Sequence, residues 1–391
     1  MILPFSFTSL PKIIFGPGVC SQIAPTISQY GAKTVLITGG KSFKNSPYFR
    51  TLQDDLAHHK ITYTTKSITA EPSPQDIDEF VVQLKNENVS SVVAIGGGSV
   101  LDAGKAISAM LKEEDGSVMD FLEGVGSKIP SGKKIPFIAV PTTSGTGSET
   151  TSNAVLSVVG SEGFKKSLRH DNFIPDIAIV DPELTLGCPP HLTATCGMDC
   201  FTQLVEAYLS TNGSSLTDAL ALQGIEAISR SLTLAYQQNE DINARSDLSY
   251  ATMLSGIVLA NAGLGTVHGF ASAVGGVIPV PHGVVCGTLM EPANRLTLTR
   301  LRQSDVENPA LLKYSILGKI FSDKPQQSDT WYQDHFIDTL AKMSSVLEIP
   351  DLSKYHITDE TKEKILLATG NKYNPVNFDK NDLEKILKAK L

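Results

Sequence analysis

The first half of the chain alternates short apolar runs, rich in β-branched residues, with stretches of helical periodicity. The predicted strands cover residues 34–38, 61–66, 91–95, 135–140 and 177–180, and the predicted helices cover 51–59, 74–86 and 100–111. Strands that alternate with helices indicate parallel pairing, because a parallel strand needs a long crossover connection. Most of these strands lack polar alternation, which is typical of a sheet covered on both faces. The sequence therefore predicts a mostly parallel α/β sheet.

The second half has a different rhythm. Helical periodicity marks residues 205–209, 217–235, 248–261 and 308–321, with Thr217 and Asp218 as a helix start, and β-branched runs are scarce. The segment Asp181–Pro190 has the prolines and the glycine expected of a linker. At roughly 100–200 residues per domain, 391 residues suffice for two domains. We predict an α/β domain at residues 1–186 and an all-helical domain at residues 187–391.

Charge and apolar patterning limit the partners of the chain. Its 41 acidic and 33 basic residues give a net charge of −8 without a basic block, which argues against nucleic acid and anionic membranes. No stretch approaches the roughly 20 apolar residues of a membrane span, and the N-terminus lacks the pattern of a signal peptide. Five cysteines without a CxxC pair predict reduced thiols rather than a disulfide framework. We predict a cytoplasmic protein that acts on small molecules.

Two loops follow predicted strands and carry glycines or hydroxyl side chains. Residues 96–99 (GGGS) stand between a strand and a helix, where backbone amides and the helix start could hold a pyrophosphate. The pattern is neither GxGxxG nor a P-loop, and alone it is equally typical of a tight turn. Residues 141–149 (PTTSGTGSE) follow another strand. Because ligands of open α/β sheets bind at the carboxyl ends of strands, the pair of loops favours a bound ligand.

A candidate metal site lies in the second half. Asp199 and Gln203 are four residues apart and would share one helix face, while His268 and His282 are separated by small residues and prolines. One carboxylate and two imidazoles could bind Fe²⁺ or Zn²⁺. Taken alone, a histidine is more often an ordinary interior or surface residue than a metal ligand.

Taken together, these segments resemble the iron-containing alcohol dehydrogenase family (group III) over nearly the whole chain. The resembling segments are 14–18 (IFGPG), 96–105 (GGGSVLDAGK), 141–149 (PTTSGTGSE), 181–182 (DP), 197–199 (GMD), 265–269 (GTVHG), 281–283 (PHG) and 374–375 (NP). The resemblance implies a dehydroquinate synthase-like architecture, with an N-terminal dinucleotide-binding domain, a helical C-terminal domain and the active site in the cleft. It also implies a homodimer, as in many relatives.

The resemblance assigns cofactor-binding roles to residues of the first half. It implies that Gly97, Gly98 and Ser99 hold the pyrophosphate, that Asp102 contacts the nicotinamide side, that Thr142, Thr143 and Thr146 line the cofactor, and that Lys166 reaches its ribose. A carboxylate near a helix start can equally complement the helix dipole, and Lys166 can equally be a solvated surface lysine.

The metal of the family is held by an aspartate and three histidines. Asp199, His268 and His282 match three of these positions, and Gln203 stands where the family has a histidine. An amide oxygen is a weaker ligand than imidazole, so three interpretations stay open: a weaker metal site, a site where water replaces the ligand, or no metal. Some relatives also have a histidine four residues after the first metal histidine. Ser272 stands there, which removes one proton-relay group.

The implied reaction transfers a hydride between NAD(P) and a small alcohol or aldehyde. Its catalytic residues would be Asp199, His268 and His282, with the metal polarising the substrate oxygen. Without metal, one of the histidines would donate a hydrogen bond or a proton to that oxygen.

The cofactor preference is predicted from the loop after the second strand. Gly40 stands where many NAD-preferring relatives have an aspartate, and Lys41, Ser42 and Lys44 offer donors to a 2′-phosphate. We therefore expect NADP to be used at least as well as NAD.

Two other functions are compatible with the sequence. Gln203 resembles the divergence at the metal positions seen in maleylacetate reductases, which would make the protein a metal-independent keto-acid reductase. Alternatively, Gln203 and Ser272 could mark a dinucleotide-binding protein without turnover. The retained Asp199, His268 and His282 favour the alcohol and aldehyde reaction over both.

Overall fold

A computed structural model describes residues 4–158 and 163–391 of the chain. The described residues form two compact units. One comprises residues 7–158 and 163–187, and the other comprises residues 188–391 together with residues 4–6.

The first unit is built on a parallel sheet. Its strands are β1 (Lys12–Phe15), β2 (Lys33–Thr38), β3 (Thr62–Ser67), β4 (Ser91–Gly96), β5 (Phe137–Pro141), β6 (Asn153–Val158), β7 (Phe164–Arg169) and β8 (Ile177–Val180). Six of them form one sheet in the order β1-β8-β5-β4-β2-β3, with every neighbouring pair parallel. Strands β6 and β7 pair antiparallel in a separate hairpin. The sheet confirms the predicted parallel α/β class.

The register of the central strands brings the two predicted loops side by side. Gly96 at the end of β4 is opposite Pro141 at the end of β5, and Thr38 at the end of β2 is opposite Ile95. The loops that follow these three strands therefore leave the same edge of the sheet. This is the edge where ligands of open α/β sheets bind.

Helices cover the sheet of the first unit. They are α1 (Ile23–Ser28), α2 (Pro47–His58), α3 (Pro74–Leu84) and α4 (Gly98–Met110). Val92 and Ala94 of β4 belong to one buried core with side chains of α3 and α4, whereas Val93 and Ile95 belong to a second core with side chains of α1 and α2. Since successive residues of one strand are buried in different cores, both faces of the sheet are covered, as the unbroken apolar runs predicted.

The second unit is helical. Its helices are α5 (Pro190–Leu209), α6 (Ser215–Gln237), α7 (Ile242–Ala262), α8 (Thr266–Val277), α9 (His282–Ser304), α10 (Pro309–Ile320), α11 (Asp329–Val346), α12 (Asp359–Ala368) and α13 (Lys380–Lys388). Between residues 188 and 391 the structure contains no strand. The predicted all-helical C-terminal part is therefore confirmed.

Helix boundaries differ from those that periodicity predicted. Helix α5 begins at Pro190, well before the predicted stretch at 205–209, because its first turns carry small and polar residues that hide the apolar period. Helix α6 begins earlier than Thr217: Ser214 is its N-cap and forms a reciprocal capping box with Thr217. The segment predicted as a linker contains a short 3₁₀ turn, Pro182–Thr185.

No single helix of the described chain is long and apolar enough to cross a membrane. The pair α7 and α8, bent by 98°, passes the same test of length and composition only when taken together.

Candidate metal centre and nucleotide loops

Helix α5 carries the acidic part of the candidate metal centre. Asp199, Gln203 and Glu206 are spaced i, i+4 and i+7, so they share one face of the helix. All three side chains are buried. Burying a carboxylate without a partner has a large free-energy penalty. The partners of Asp199 and Glu206 therefore indicate the role of this helix face.

Two histidines approach a single carboxylate oxygen. His268 lies in the first turn of α8, and His282 is the first residue of α9, directly after Pro281. The Nε2 atom of His268 is 3.2 Å from Oδ1 of Asp199, and Nε2 of His282 is 3.6 Å from the same oxygen. The fold thus brings together three of the four side chains predicted as metal ligands.

Glu206 fixes the orientation of His268. Its Oε2 lies 2.6 Å from Nδ1 of His268, and its Oε1 accepts a hydrogen bond from the backbone N–H of Val267 at 2.7 Å. The carboxylate therefore also caps the start of α8, where the helix dipole favours negative charge. Gly265 allows this approach, because a Cβ at that position would lie 2.8 Å from Oε1 of Glu206. When Nδ1–H donates to Glu206, the neutral imidazole of His268 has its lone pair on Nε2, where a metal can take the place of the proton.

Cys286 joins the cluster from α9, one helical turn after His282. Its Sγ lies 3.8 Å from Nε2 of His268. One donor atom from each of Asp199, His268, His282 and Cys286 lies within 4.8 Å of the other three. Cys286 is fully buried, and burial raises the pKa of its thiol to about 12.

Gln203 turns its amide oxygen toward a neighbouring helix. Its Oε1 accepts a hydrogen bond from the Ser255 hydroxyl of α7 at 2.7 Å. The amide that replaces the family's histidine is thereby engaged with a protein donor.

The electrostatics of the cluster favour a positive charge at its centre. Burial opposes ionisation of Asp199, but His282 and His268 outweigh it and hold the pKa of this carboxyl below its usual value. Burial likewise opposes protonation of His268, but the neighbouring Cys286, Glu206 and Asp199 raise its pKa well above the usual range. A buried site that stabilises a cation between acidic groups, with a carboxylate holding the ligating imidazole, fits a divalent transition metal.

The glycine-rich turn of the first unit packs directly against the second predicted loop. A Cβ on Gly98 would lie 2.5 Å from Cγ2 of Thr146, and one on Gly97 would lie 3.2 Å from Oγ1 of Thr143. The backbone N–H of Thr142 donates to the carbonyl of Gly96 at 2.9 Å. No side chain caps the start of α4, so its first backbone N–H groups are available to an anion.

Asp102 and Lys105 tie α4 to the segment after this loop. Asp102 accepts hydrogen bonds from the Ser148 hydroxyl and, at 3.2 Å, from the backbone N–H of Val155. The Lys105 ammonium donates to Ser148, to Thr151 and to the carbonyl of Asn153. Both carboxylate oxygens of Asp102 thus have partners within the protein.

Glu149 ends this loop and is buried. Among the described residues, its Oε1 has no hydrogen-bond partner. Burial raises the pKa of Glu149 to about 7 and lowers the pKa of Lys105 to about 8. Two buried ionisable groups of opposite sign therefore support the loop that carries Thr142, Thr143 and Thr146.

The remaining predicted cofactor residues are exposed or half-buried. Gly40 and Lys41 are exposed in the loop after β2, and the nearby Lys44 donates to the Ser67 hydroxyl at the end of β3 at 2.6 Å. Ser99 is half-buried in the first turn of α4. Lys166 is exposed on β7.

Sequence families match both halves of the chain. Residues 11–182 match the iron-containing alcohol dehydrogenase family, and residues 193–391 match the C-terminal domain of the Fe-containing alcohol dehydrogenase family. The chain belongs to the iron-containing alcohol dehydrogenase family.

Individual members show how far the similarity extends. Long-chain-alcohol dehydrogenase 1 of Geobacillus thermodenitrificans is 36% identical over 70% of this chain and 70% of its own length. Alcohol dehydrogenase 4 of Saccharomyces cerevisiae is 32% identical over 97% of this chain and 96% of its own. The solved structure of an alcohol dehydrogenase from Oenococcus oeni is 29% identical, covers 99% of this chain and 100% of its own, and superposes with a TM-score of 0.88.

These similarities confirm the dehydroquinate synthase-like architecture and identify an oxidoreductase that acts on alcohols. They do not favour the keto-acid reductase or the non-catalytic protein.

Two residues of this iron-containing alcohol dehydrogenase's candidate centre were missed in the sequence. Glu206 follows Asp199 by seven residues and Cys286 follows His282 by four, and both spacings return to the same helix face. The helical period therefore carried a usable signal.

Proposed function

We propose that the protein is an NAD(P)-dependent dehydrogenase of small alcohols, and a reductase of the matching aldehydes, that uses a divalent metal. The observation that carries the proposal is the His268 imidazole, held by Glu206 at Nδ1 while its Nε2 faces Asp199 at 3.2 Å. A histidine oriented in this way by a carboxylate is the arrangement typical of metal-ligating imidazoles.

Asp199, His268 and His282 are proposed to hold the metal, with Fe²⁺ and Zn²⁺ as the candidate ions. The bound metal would polarise the substrate oxygen and lower the pKa of an alcohol. The residues of this chain have simpler tasks: Asp199 supplies the negative charge, and the two imidazoles supply neutral donors. Glu206 keeps His268 in the tautomer that leaves Nε2 free. Ser272, whose hydroxyl donates to the carbonyl of His268 at 2.9 Å, is committed to its own helix.

The nucleotide is proposed to bind at the loops after β4 and β5. Gly97, Gly98 and Ser99 would hold the pyrophosphate, which is supported by the uncapped start of α4 and by the absence of side chains on the two glycines. Thr142, Thr143 and Thr146 would line the cofactor. Asp102 would act near the nicotinamide through Ser148, since its oxygens are engaged there and at Val155.

We further propose that NADP is accepted at least as well as NAD. Gly40 offers no carboxylate to repel a 2′-phosphate, and Lys41 and Lys44 lie within four residues of it. Lys166 is proposed to reach the ribose from β7.

Domain roles and assembly complete the proposal. Residues 1–186 would bind the nucleotide and residues 187–391 the metal and the substrate, in agreement with the two compact units. A homodimer is proposed, because β1 is an edge strand of the sheet and an edge can pair with a second copy. A cytoplasmic location is proposed as well. Light scattering of the purified protein tests the dimer.

The central test is turnover after metal removal. The protein is assayed on a panel of alcohols and aldehydes with NAD and NADP, then exhaustively chelated and reloaded with Fe²⁺ or Zn²⁺. We expect activity to be lost on chelation and restored by one of the metals. Activity that is unchanged throughout overturns the metal dependence, and cofactor binding without any turnover overturns the dehydrogenase.

A further inference from the structure

The candidate metal centre contains a donor that the sequence did not single out. The Cys286 thiol is fully buried, and its Sγ lies 3.8 Å from Nε2 of His268. It reaches the centre from α9, the helix that also carries His282, one turn away. Thiolates, imidazoles and carboxylates are all side-chain ligands that transition metals bind.

The donor distances fit four-coordinate binding. Metal–nitrogen bonds of about 2.0–2.1 Å and metal–sulfur bonds of about 2.3 Å place neighbouring donors of a tetrahedral site about 3.3–3.6 Å apart. The structure has 3.2 Å and 3.6 Å from Asp199 Oδ1 to the two imidazoles, and 3.8 Å from sulfur to His268 Nε2. All four donor atoms lie within 4.8 Å of one another, so only small movements separate this arrangement from a tetrahedron.

Gln203 is placed differently. Its amide oxygen accepts from Ser255 on α7, so one of the two lone pairs of that oxygen is already engaged. An amide oxygen is also a weak ligand for transition metals, whereas a thiolate is a strong one. The charge of the site also favours Cys286 over Gln203 as a ligand, because one carboxylate, one thiolate and two neutral imidazoles balance a divalent cation in a buried site.

We propose that Cys286 supplies the fourth metal ligand, in the place left by the histidine that Gln203 replaces. The site is then a carboxylate, two imidazoles and a thiolate, and the thiol proton leaves to solvent when the metal binds. In the proposed reaction the substrate oxygen would join these four protein ligands as a fifth. A sulfur ligand shifts the preference of the site toward Zn²⁺ and Co²⁺. This inference rests on the proposed metal centre, and its test separates the two.

Cobalt titration of the chelated full-length protein provides the readout. A Co²⁺–thiolate bond gives a near-ultraviolet charge-transfer band, which ligands without sulfur do not give. We expect one equivalent of Co²⁺ to bind with this band in the wild type. In Cys286→Ser we expect the band to disappear and the affinity to fall at least about tenfold.

Control variants isolate the sulfur. Cys200→Ser removes another buried thiol, next to Asp199 in sequence, and should keep the band. Gln203→Ala should also keep it, with a smaller loss of affinity than Cys286→Ser. Thermal melts of the metal-free forms show whether Cys286→Ser still folds. If it does not fold, the role of Cys286 is judged from the other proteins: a thiolate band in the wild type that persists in Gln203→Ala supports it, and a wild type that binds Co²⁺ without the band overturns it.

The possible results distinguish the role of Cys286 from the existence of the metal centre itself. Stoichiometric Co²⁺ binding without the band, or a band that survives in Cys286→Ser, overturns the role of Cys286 and leaves the metal centre standing. A wild-type protein that binds no Co²⁺, Zn²⁺ or Fe²⁺ overturns both.

Discussion

Glu206 Oε2 lies 2.6 Å from Nδ1 of His268, while the opposite ring nitrogen of the same imidazole faces Asp199 at 3.2 Å. One ring therefore connects two acidic residues of α5, seven positions apart. The Glu206 carboxylate favours the tautomer with a proton on Nδ1. The Asp199 carboxylate lies beside Nε2, the nitrogen that would bind the metal. The orientation of this proposed ligand is thus fixed by a residue that would not touch the metal.

Glu206→Gln is expected to weaken metal binding by roughly 10- to 100-fold. The variant removes the charge that holds Nδ1–H of His268, so the imidazole loses basicity and a fixed orientation. Competition with a chelator of known affinity measures the change. Glu307→Gln, an exposed residue of the same unit, should leave the affinity unaltered. Equal affinities for Glu206→Gln and wild type would contradict the orienting role.

Gly98→Ala is expected to weaken binding of the nucleotide. The new Cβ would lie 2.5 Å from Cγ2 of Thr146, so the turn and the threonine loop must separate. Overpacking of this kind costs about 1–3 kcal/mol, which corresponds to roughly a 5- to 150-fold loss of affinity if the loops carry it. Fluorescence titration with NADH and NADPH measures it. Gly370→Ala is the control, because its Cβ would meet nothing within 4 Å.

Glu149→Gln is expected to stabilise the protein at neutral pH but not at pH 5. Burial raises the pKa of Glu149 to about 7 from the usual 4.5. Between these values the folded chain holds more protons than the unfolded chain, so the wild type loses stability as the pH rises through about 7. The neutral amide does not ionise and avoids this loss, which is on the order of 2–3 kcal/mol.

Melting temperatures of both proteins between pH 5 and pH 7.5 test this expectation. The difference should grow with pH by several degrees in favour of Glu149→Gln. The range stops there because the lowered pKa of Lys105, about 8, adds the opposite slope: stability rises as the pH climbs from about 8 toward 10.5. A difference that is constant with pH would contradict ionisation of Glu149 in this range.

Periodicity predicted elements well where a segment is apolar and repetitive. Strand β8 has the predicted bounds, and β4 differs by one residue, because buried parallel strands are unbroken apolar runs. Periodicity predicts only the end of helix α5, and the placement of Asp199 and Gln203 on one helix face extends the expected helix back to Asp199. The first turns, from Pro190, carry small and polar residues without an apolar period. In this helix, the polar side chains of the candidate metal centre weaken the apolar period on which the prediction of a helix depends.

The hydrogen-bond partners of the site side chains could not be predicted from the sequence. The i+4 rule placed Asp199 and Gln203 on one face, but only the packing of α7 against α5 shows that Ser255 takes the amide oxygen. Likewise, fourteen residues separate His268 from His282, and no spacing rule states that the turn between α8 and α9 returns both rings to one carboxylate oxygen. Such contacts come from tertiary packing of helices distant in sequence.

Gly40→Asp is expected to turn the protein toward NAD. A carboxylate at the end of β2 accepts hydrogen bonds from a ribose 2′-OH and repels a 2′-phosphate, so kcat/KM with NADP should fall by roughly 10- to 100-fold while that with NAD is kept or improved. Gly40→Asn is the matched control, since it adds the same bulk without the charge. A Cβ at Gly40 meets only Cγ2 of Thr69, at 3.6 Å, so both variants fit without strain. If Asp and Asn lower NADP use equally, size rather than charge governs the choice, and a wild type that strongly prefers NAD contradicts the proposed acceptance of NADP itself.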